Sequence, residues 1–268
     1  DDGQENHSTD VLEKRAVAFL REAVKDKAPF FMYFAPKAPH GPFQSPRRYQ
    51  PDPKKAEFTK EARDKLGTCS LFDWNDRPAS FMEKDVSDKP TWIQEIKGKK
   101  TVAQLDELRR LQLVSVLATE DAIEEMLSVL EAAGQRDNTI LVYVSDNGFA
   151  WGEHGYSSKN CAYGACSKVP FLFLDPRKKL PAGRTVDAFV ADVDIAPTLA
   201  ALGGAAIPAG EKVDGLSLLP LLSGEKVAWP RQQILTECWG NGEKGDPDTH
   251  ASARTKRWLY VEHYTDDK

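Results

Sequence analysis

Apolar residues along the chain recur with two periods, one near the helical turn and one near the strand alternation, and the changes between them lay out the elements. Val11, Leu12, Ala16, Phe19, Leu20 and Val24 keep helical spacing. Ser8-Thr9-Asp10 precedes them as an N-cap signal, basic Lys25 to Lys27 suits a helix C-terminus, and Pro29 ends the segment. The run Phe30 to Ala35 then predicts a buried strand. Residues 47–100 are polar, proline-rich and weakly periodic, which predicts a long excursion with short helices, a lid or a substrate wall. The longest helix is expected over Thr101 to Ala133, where Leu105, Leu108, Leu111, Val114, Leu117, Ile123, Met126, Leu127 and Leu130 recur, with Gly134 as C-cap. Two further apolar runs, Ile140 to Val144 and Val169 to Leu174, predict strands on either side of a polar loop. A short strand over Val186 to Val190 and an N-capped helix over Asp192 to Leu202 follow. From Gln232 the pattern reads strand, glycine-rich loop, strand, with the strands at Ile234 to Glu237 and Arg257 to Glu262.

Helices alternating with short, β-rich apolar runs imply an α/β protein, with the runs at 30–35, 140–144 and 169–174 in one mainly parallel or mixed sheet between helices. The 268 residues, 41% of them hydrophobic, are enough for a sizeable core. A net charge of −5 argues against nucleic acid or an anionic membrane surface as the main partner, and no apolar run reaches the length of a membrane span. Four cysteines are too few for a disulfide framework. Cys161 and Cys166 are read as small residues packed under the loop, with a pairing between them as the alternative.

The candidate chemistry gathers where the pattern breaks. At the end of the 140–144 run, Asp146 and Asn147 place two oxygen ligands side by side, and Gly148 lets the backbone turn behind them. Asp-Asn-Gly is also an ordinary turn sequence. Further along the same loop stand His154 and Lys159. His40 follows the 30–35 run inside PKAPHGP, whose prolines restrict the backbone on both sides of the imidazole. Glu120 and Asp121, in the middle of the long helix, are read as a solvated face or as partners of Arg109 and Arg110 rather than as an acid–base pair. Trp92 is read as a packing residue, with Asp85 and Asp88 as helix caps.

Several of these short segments, taken in order, resemble the sulfatase family of the alkaline phosphatase superfamily: STD before the first helix, PFF, APH-P, SDNG, GEHG, a lysine, a tyrosine, VP, DIAPTL and DG-SLLPLL. The segment FMEKDVSDKPTW at Phe81 to Trp92 is similar to a subgroup containing N-acetylglucosamine-6-sulfatases and bacterial arylsulfatases. The resemblance implies an alkaline-phosphatase-like sandwich, with a partial catalytic domain over residues 1–230. Residues 231–268 would begin a small C-terminal antiparallel subdomain. It also implies sulfate ester hydrolysis, with Asp146 and Asn147 as half of a calcium site and Lys159 on the sulfate. His40 would lie against the sulfate and assist the leaving oxygen, and His154 would be a further substrate-binding candidate. The family's nucleophile is a formylglycine made from the cysteine of Cys-x-Pro-x-Arg, and none of the four cysteines here stands in that sequence. The N-terminal part of the fold is therefore expected to be missing, and the chain to be inactive alone. A sulfated small molecule or carbohydrate is the expected partner, together with the missing portion as a separate chain if the enzyme is in two pieces. The family's compartments are secreted, periplasmic or lysosomal. The loop departs from the family at Gly164 and Ala165, where a glutamate-containing YE-E is usual, and at Lys168, usually arginine. Two other readings stay open: a phosphoryl-transfer hydrolase of the same superfamily, and a degenerate protein that binds sulfated glycans without cleaving them. A hard Asp–Asn oxygen pair favours calcium over zinc and so argues against the first.

Overall fold

The computed structural model describes residues 7–50, 59–67, 76–178, 183–223, 227–240 and 247–264, and Cys69 lies outside them. The helices are α1 (Ser8–Asp26), α2 (Lys60–Leu66), α3 (Thr91–Ile96), α4 (Val102–Ala132), α5 (Gly164–Ser167), α6 (Ile195–Leu202) and α7 (Leu219–Leu222). The strands are β1 (Leu141–Val144), β2 (Phe171–Leu174), β3 (Ile234–Cys238), β4 (His250–Arg254) and β5 (Leu259–His263). The chain forms two compact units. One comprises Asp1–Lys84, Lys97–Asn138 and Trp151–Ser157, the other Asp85–Ile96, Thr139–Ala150 and Ser158–Lys268.

The first unit is built on α4. Its start is fixed by a reciprocal cap: the Gln104 backbone N–H donates to Thr101 Oγ1 at 3.3 Å, and the Thr101 N–H to Gln104 Oε1 at 2.8 Å. Its end is a glycine cap in which Gly134, at φ 65°, lets Gln135 N–H reach Leu130 O at 2.8 Å. Ala16, Val17 and Leu20 of α1 pack against Met126 and Leu130 of α4. Tyr49, Ala62 and Leu66 pack against Val114 and Leu117. The α1 start differs from expectation. His7 is the N-cap residue and makes no side-chain cap bond, so Ser8, Thr9 and Asp10 lie inside the first turn. Asp10 is instead drawn to Arg48, which donates to both carboxylate oxygens at 3.1 Å.

Asp121 also finds other partners than the sequence suggests. Arg48 Nε, Tyr49 Oη and Lys65 Nζ donate to it at 2.8, 2.8 and 2.7 Å. Arg109 and Arg110 sit about three turns back on the same rigid helix, more than 15 Å along its axis by a rise of about 1.5 Å per residue, so they are out of reach.

Residues 30–35 form no strand. The segment is extended, and its side chains alternate: Phe30, Met32 and Phe34 pack on the α1–α4 core, whereas Phe31 and Tyr33 are 70% and 83% exposed. One face is satisfied by helices, and no ladder partner stands beside the backbone among the described residues.

In the second unit β1 pairs with β2, Leu141 opposite Leu174 and Val144 opposite Phe171. The pairing is antiparallel, as are β3–β4 and β4–β5, so among the described residues the ladders are antiparallel rather than mainly parallel. The connection explains the first pair. Parallel neighbours need a crossover of a dozen or more residues, usually helical. The stretch between β1 and β2 holds only the one-turn α5 and returns to the end it left. Leu172 is 63% exposed, so β2 is covered on one face only. No strand forms over residues 186–190. β4 falls where the sequence predicts a loop, because HASAR has neither β-branched nor large apolar residues. Asp85 accepts from Ser87 N–H at 3.0 Å and closes a turn instead of capping a helix, while Trp92 is buried. Among the described residues no helix is long and apolar enough to cross a membrane.

Candidate active site

The 145–170 connection leaves β1 at the Ser145-Asp146-Asn147-Gly148 turn. Ser145 Oγ donates to Asn147 O at 2.9 Å, and Asn147 Nδ2 donates to Gly148 O at 2.9 Å. The amide is thereby oriented with Oδ1 facing away from its own turn, where it accepts from Lys159 Nζ at 3.0 Å. Asp146 is exposed. Thus Asn147 and Lys159, twelve residues apart in sequence, meet in the second unit beside Asp146. Asp192 is a neighbour the sequence does not reveal. Burial pushes its carboxyl up from the ordinary range, and the charges of Asp146 and Asp194 push it further the same way.

The turn rests directly on the disulfide-closed segment that follows. Gly148 N–H donates to Cys166 O at 2.9 Å, and Ala150 N–H to Ser158 O at 2.8 Å. A Cβ on Gly148 would stand 2.2 Å from Ala165 O, so only glycine permits this approach. Cys161 and Cys166 are bonded to each other, with Cα atoms 5.5 Å apart, an ordinary spacing for a disulfide. They are buried, as expected of packed small residues, but they are paired. Spacing alone cannot separate these two readings. Ala162 O accepts from Arg254 Nη2 of β4 at 3.1 Å, which ties the segment to the C-terminal sheet.

The GEHG segment belongs to the first unit and has a different character. Gly152, at φ 119°, lies so close to Phe81 and Leu105 that a Cβ would fall 2.7 and 2.8 Å from them. Met82 N–H donates to Gly152 O, and His154 N–H to Ser80 O, at 2.8 and 2.7 Å. His154 Nδ1 is 2.6 Å from Glu83 Oε2. A carboxylate only accepts, so Nδ1 carries the proton. Glu153 Oε2 accepts from Trp151 N–H at 2.7 Å, and Trp151 Nε1 donates to Gln112 Oε1 of α4. The buried Arg109 guanidinium stands 5.4 Å from the Trp151 ring centroid. Nothing in the sequence marks Glu83 or Gln112 as partners of this loop, since their contacts span 71 and 39 residues.

His40, also in the first unit, is exposed. Its backbone N–H donates to Lys37 O at 2.8 Å, and its Nδ1 lies 2.8 Å from Gly41 O. A carbonyl only accepts, so Nδ1 again carries the proton and Nε2 is the second ring nitrogen.

Comparisons with known proteins place these motifs. The sulfatase family model matches residues 1–205, and the model for the C-terminal part of N-sulphoglucosamine sulphohydrolase matches residues 152–268. An N-acetylglucosamine-6-O-sulfatase from Bacteroides thetaiotaomicron is 29% identical over 83% of this chain and 47% of its own length. An arylsulfatase from Volvox carteri is 31% identical over 97% of this chain and 43% of its own. The human N-acetylglucosamine-6-sulfatase is 29% identical over 89% and 41%. The chain thus spans less than half the length of these relatives. One solved structure, a complex with its substrate D-glucosamine-2-N,6-O-disulfate, superposes with a TM-score of 0.70 at 25% identity, covering 98% of this chain and 62% of that one. A phosphonate monoester hydrolase of Agrobacterium radiobacter gives a TM-score of 0.67 at 21% identity, covering 98% and 54%, a likeness of fold alone. The mixed helix-and-sheet architecture with its small C-terminal antiparallel sheet is the alkaline-phosphatase-like fold of these neighbours. With the family model covering most of its length, the chain belongs to the sulfatase family.

Proposed function

We propose that this chain is part of a sulfuric ester hydrolase acting on sulfated sugars, and that Asp146, Asn147 and Lys159 take the metal and the sulfate group. The observation that carries the reading is the 3.0 Å bond from Lys159 Nζ to Asn147 Oδ1 beside an exposed carboxylate, a cation and two oxygen donors at one strand end. The names of the relatives support a sugar sulfate, as does the glucosamine disulfate bound in the solved neighbour. Residues 1–230 would be the catalytic part, and residues 231–268 the opening of the C-terminal antiparallel subdomain.

The donor set fits a hard cation. A carboxylate and an amide oxygen are calcium ligands by chemistry, although they are two of the six to eight oxygens calcium takes. Asp146 and Asn147 would hold the ion, whose charge would offset that of the sulfuryl oxygens. Lys159 would add a donated hydrogen bond to those oxygens, its ammonium already oriented by Asn147. Once protonated at both ring nitrogens, His40 would give its Nε2 proton to the departing ester oxygen while its Nδ1–H stays with Gly41 O. His154, engaged by Glu83, would act as a positioning residue for its loop. The attacking oxygen would come from a formylglycine outside these 268 residues, because Cys69, Cys161, Cys166 and Cys238 all lack the x-Pro-x-Arg sequence behind them. The cross-linked cysteine pair fits an oxidising compartment.

The test is an assay of residues 1–268, alone and joined to a segment bearing Cys-x-Pro-x-Arg. Substrates would be an aryl sulfate, a 6-sulfated glucosamine and, as control, an aryl phosphonate monoester. The isolated chain should not turn over, and the joined protein should cleave sulfate esters in preference. Lys159→Ala in the joined protein should lower kcat/KM by about two to three orders of magnitude. Turnover by residues 1–268 alone that survives Lys159→Ala would overturn the assignment.

A further inference from the structure

We propose that the Cys161–Cys166 disulfide is the positioning element of the Asn147–Lys159 pair. It rests on the reading of those two residues as metal- and sulfate-binding groups, and it deepens that reading.

The residues concerned form a closed circuit in the second unit. Asn147 is bonded through its peptide to Gly148. Gly148 N–H donates to Cys166 O at 2.9 Å. Cys166 is joined to Cys161 by the disulfide. Cys161 follows Lys159 by two residues, and Lys159 Nζ returns to Asn147 Oδ1 at 3.0 Å. Every other link in the circuit is a peptide bond or a hydrogen bond. With the sulfur–sulfur bond cut, the path from Cys166 back to Lys159 runs through residues 160–165 instead. A freed segment of that length gains backbone entropy at each residue.

Two further observations show the segment held against its own preferences. Asn160, between Lys159 and Cys161, sits at φ 73°, a left-handed conformation disfavoured for residues with a side chain and kept where the surroundings enforce it. At the other end, Gly148 packs against the 165–166 backbone so closely that a Cβ there would stand 2.2 Å from Ala165 O. Cys161, Ala162 and Cys166 are buried, and Ala162 O is anchored by Arg254. A displacement of the cross-linked turn therefore moves Gly148, and Asn147 with it.

Reduction opens the circuit. A dithiol gives two electrons and two protons to the sulfur–sulfur bond, which becomes two cysteine thiols, while the dithiol closes to its cyclic disulfide. The test is native-state hydrogen exchange by NMR on residues 1–268, comparing wild type, wild type reduced with a dithiol, and the Cys161→Ser/Cys166→Ser protein. Opening the bond should speed exchange of the Gly148 amide at least tenfold and shift the Asn147 side-chain amide resonance. The amides of β4 paired to β3 should stay within twofold of wild type. In the joined, active protein the same change should lower kcat with a smaller effect on KM. If the serine variant does not fold, reduction of the folded wild type, with alkylation mapping of Cys161 and Cys166, gives the same measurement. Unchanged exchange at Gly148, or equal acceleration at every amide as a general loss of stability would give, overturns the proposal. Exchange needs no turnover, so an inactive joined protein would defeat the sulfatase reading and leave this test intact.

Discussion

Asp194 and Asp146 are both aspartates of the second unit that follow an apolar segment, and their surroundings are opposite. Asp194 is fully buried and saturated. Arg231 donates to both of its oxygens, with Nη2 at 2.7 Å, and the backbone N–H groups of Leu216 and Ala191 add bonds at 2.7 and 2.9 Å. Burial alone would raise its carboxyl, but Arg231 and the two amides outweigh it and hold the group below the ordinary aspartate range. Asp146 is exposed and accepts no hydrogen bond among the described residues. The saturated acid spends its lone pairs on the fold, tying Ala191, Leu216 and Arg231 together. The open acid keeps its lone pairs out of the fold's own bonds among the described residues. A carboxylate's place in a motif does not separate these uses, whereas the count of donors around it does.

Stability gives the widest test of this contrast. Asp194→Ala leaves the Arg231 charge buried without its partner and should cost about 3–5 kcal/mol. Asp146→Ala, measured by the same urea unfolding, should stay within about 0.5 kcal/mol of wild type. Comparable losses from the two substitutions would abolish the distinction.

The pH dependence of folding should follow the same acid. Because the folded value of Asp194 lies below its unfolded value, its contribution is present above about pH 4, the unfolded aspartate range. It is lost as pH falls through the depressed folded value. Urea midpoints taken from pH 6 down to pH 2 should fall more steeply for wild type than for Asp194→Asn, which carries no titrating group there. Parallel curves would show that Asp194 is not coupled to folding in this way.

The smallest expected effect concerns the open acid. With Asp146 and Asn147 supplying a minority of the oxygens calcium needs, 10 mM calcium should raise the stability of residues 1–268 by less than about 1 kcal/mol. Asp146→Asn should remove even that. A calcium shift that persists in Asp146→Asn would place the ion elsewhere and sharpen the contrast against Asp146.

Much of this arrangement was legible in the sequence because it is local. Helical periodicity and the closing Gly134 suffice for α4, since its backbone bonds close within a turn. The grouping of Asp146, Asn147 and Lys159 on one loop was readable because twelve residues of chain keep them near each other. The order of short motifs pointed to the sulfatase family without any three-dimensional information.

What the sequence left undecided depends on partners far away along the chain. Residues 30–35 have the composition of a strand, but a strand exists only with a neighbour to complete its ladder, and helices cover the one face that is satisfied. β4 has the composition of a loop and becomes a strand because β3 and β5 flank it. The direction of β1 against β2 was set by the absence of a crossover helix between them. The sequence offers Asp121 a solvated face or the arginines of its own helix, and tertiary packing instead brings Arg48, Tyr49 and Lys65 to it. Two cysteines five residues apart are compatible with a bond or with none, and only the backbone path between them decides, by bringing their Cα atoms to 5.5 Å. The sequence determines which residues can do chemistry, because that is a property of side chains. Which of them are consumed by the fold and which are left open is a property of neighbours, and those only the tertiary structure supplies.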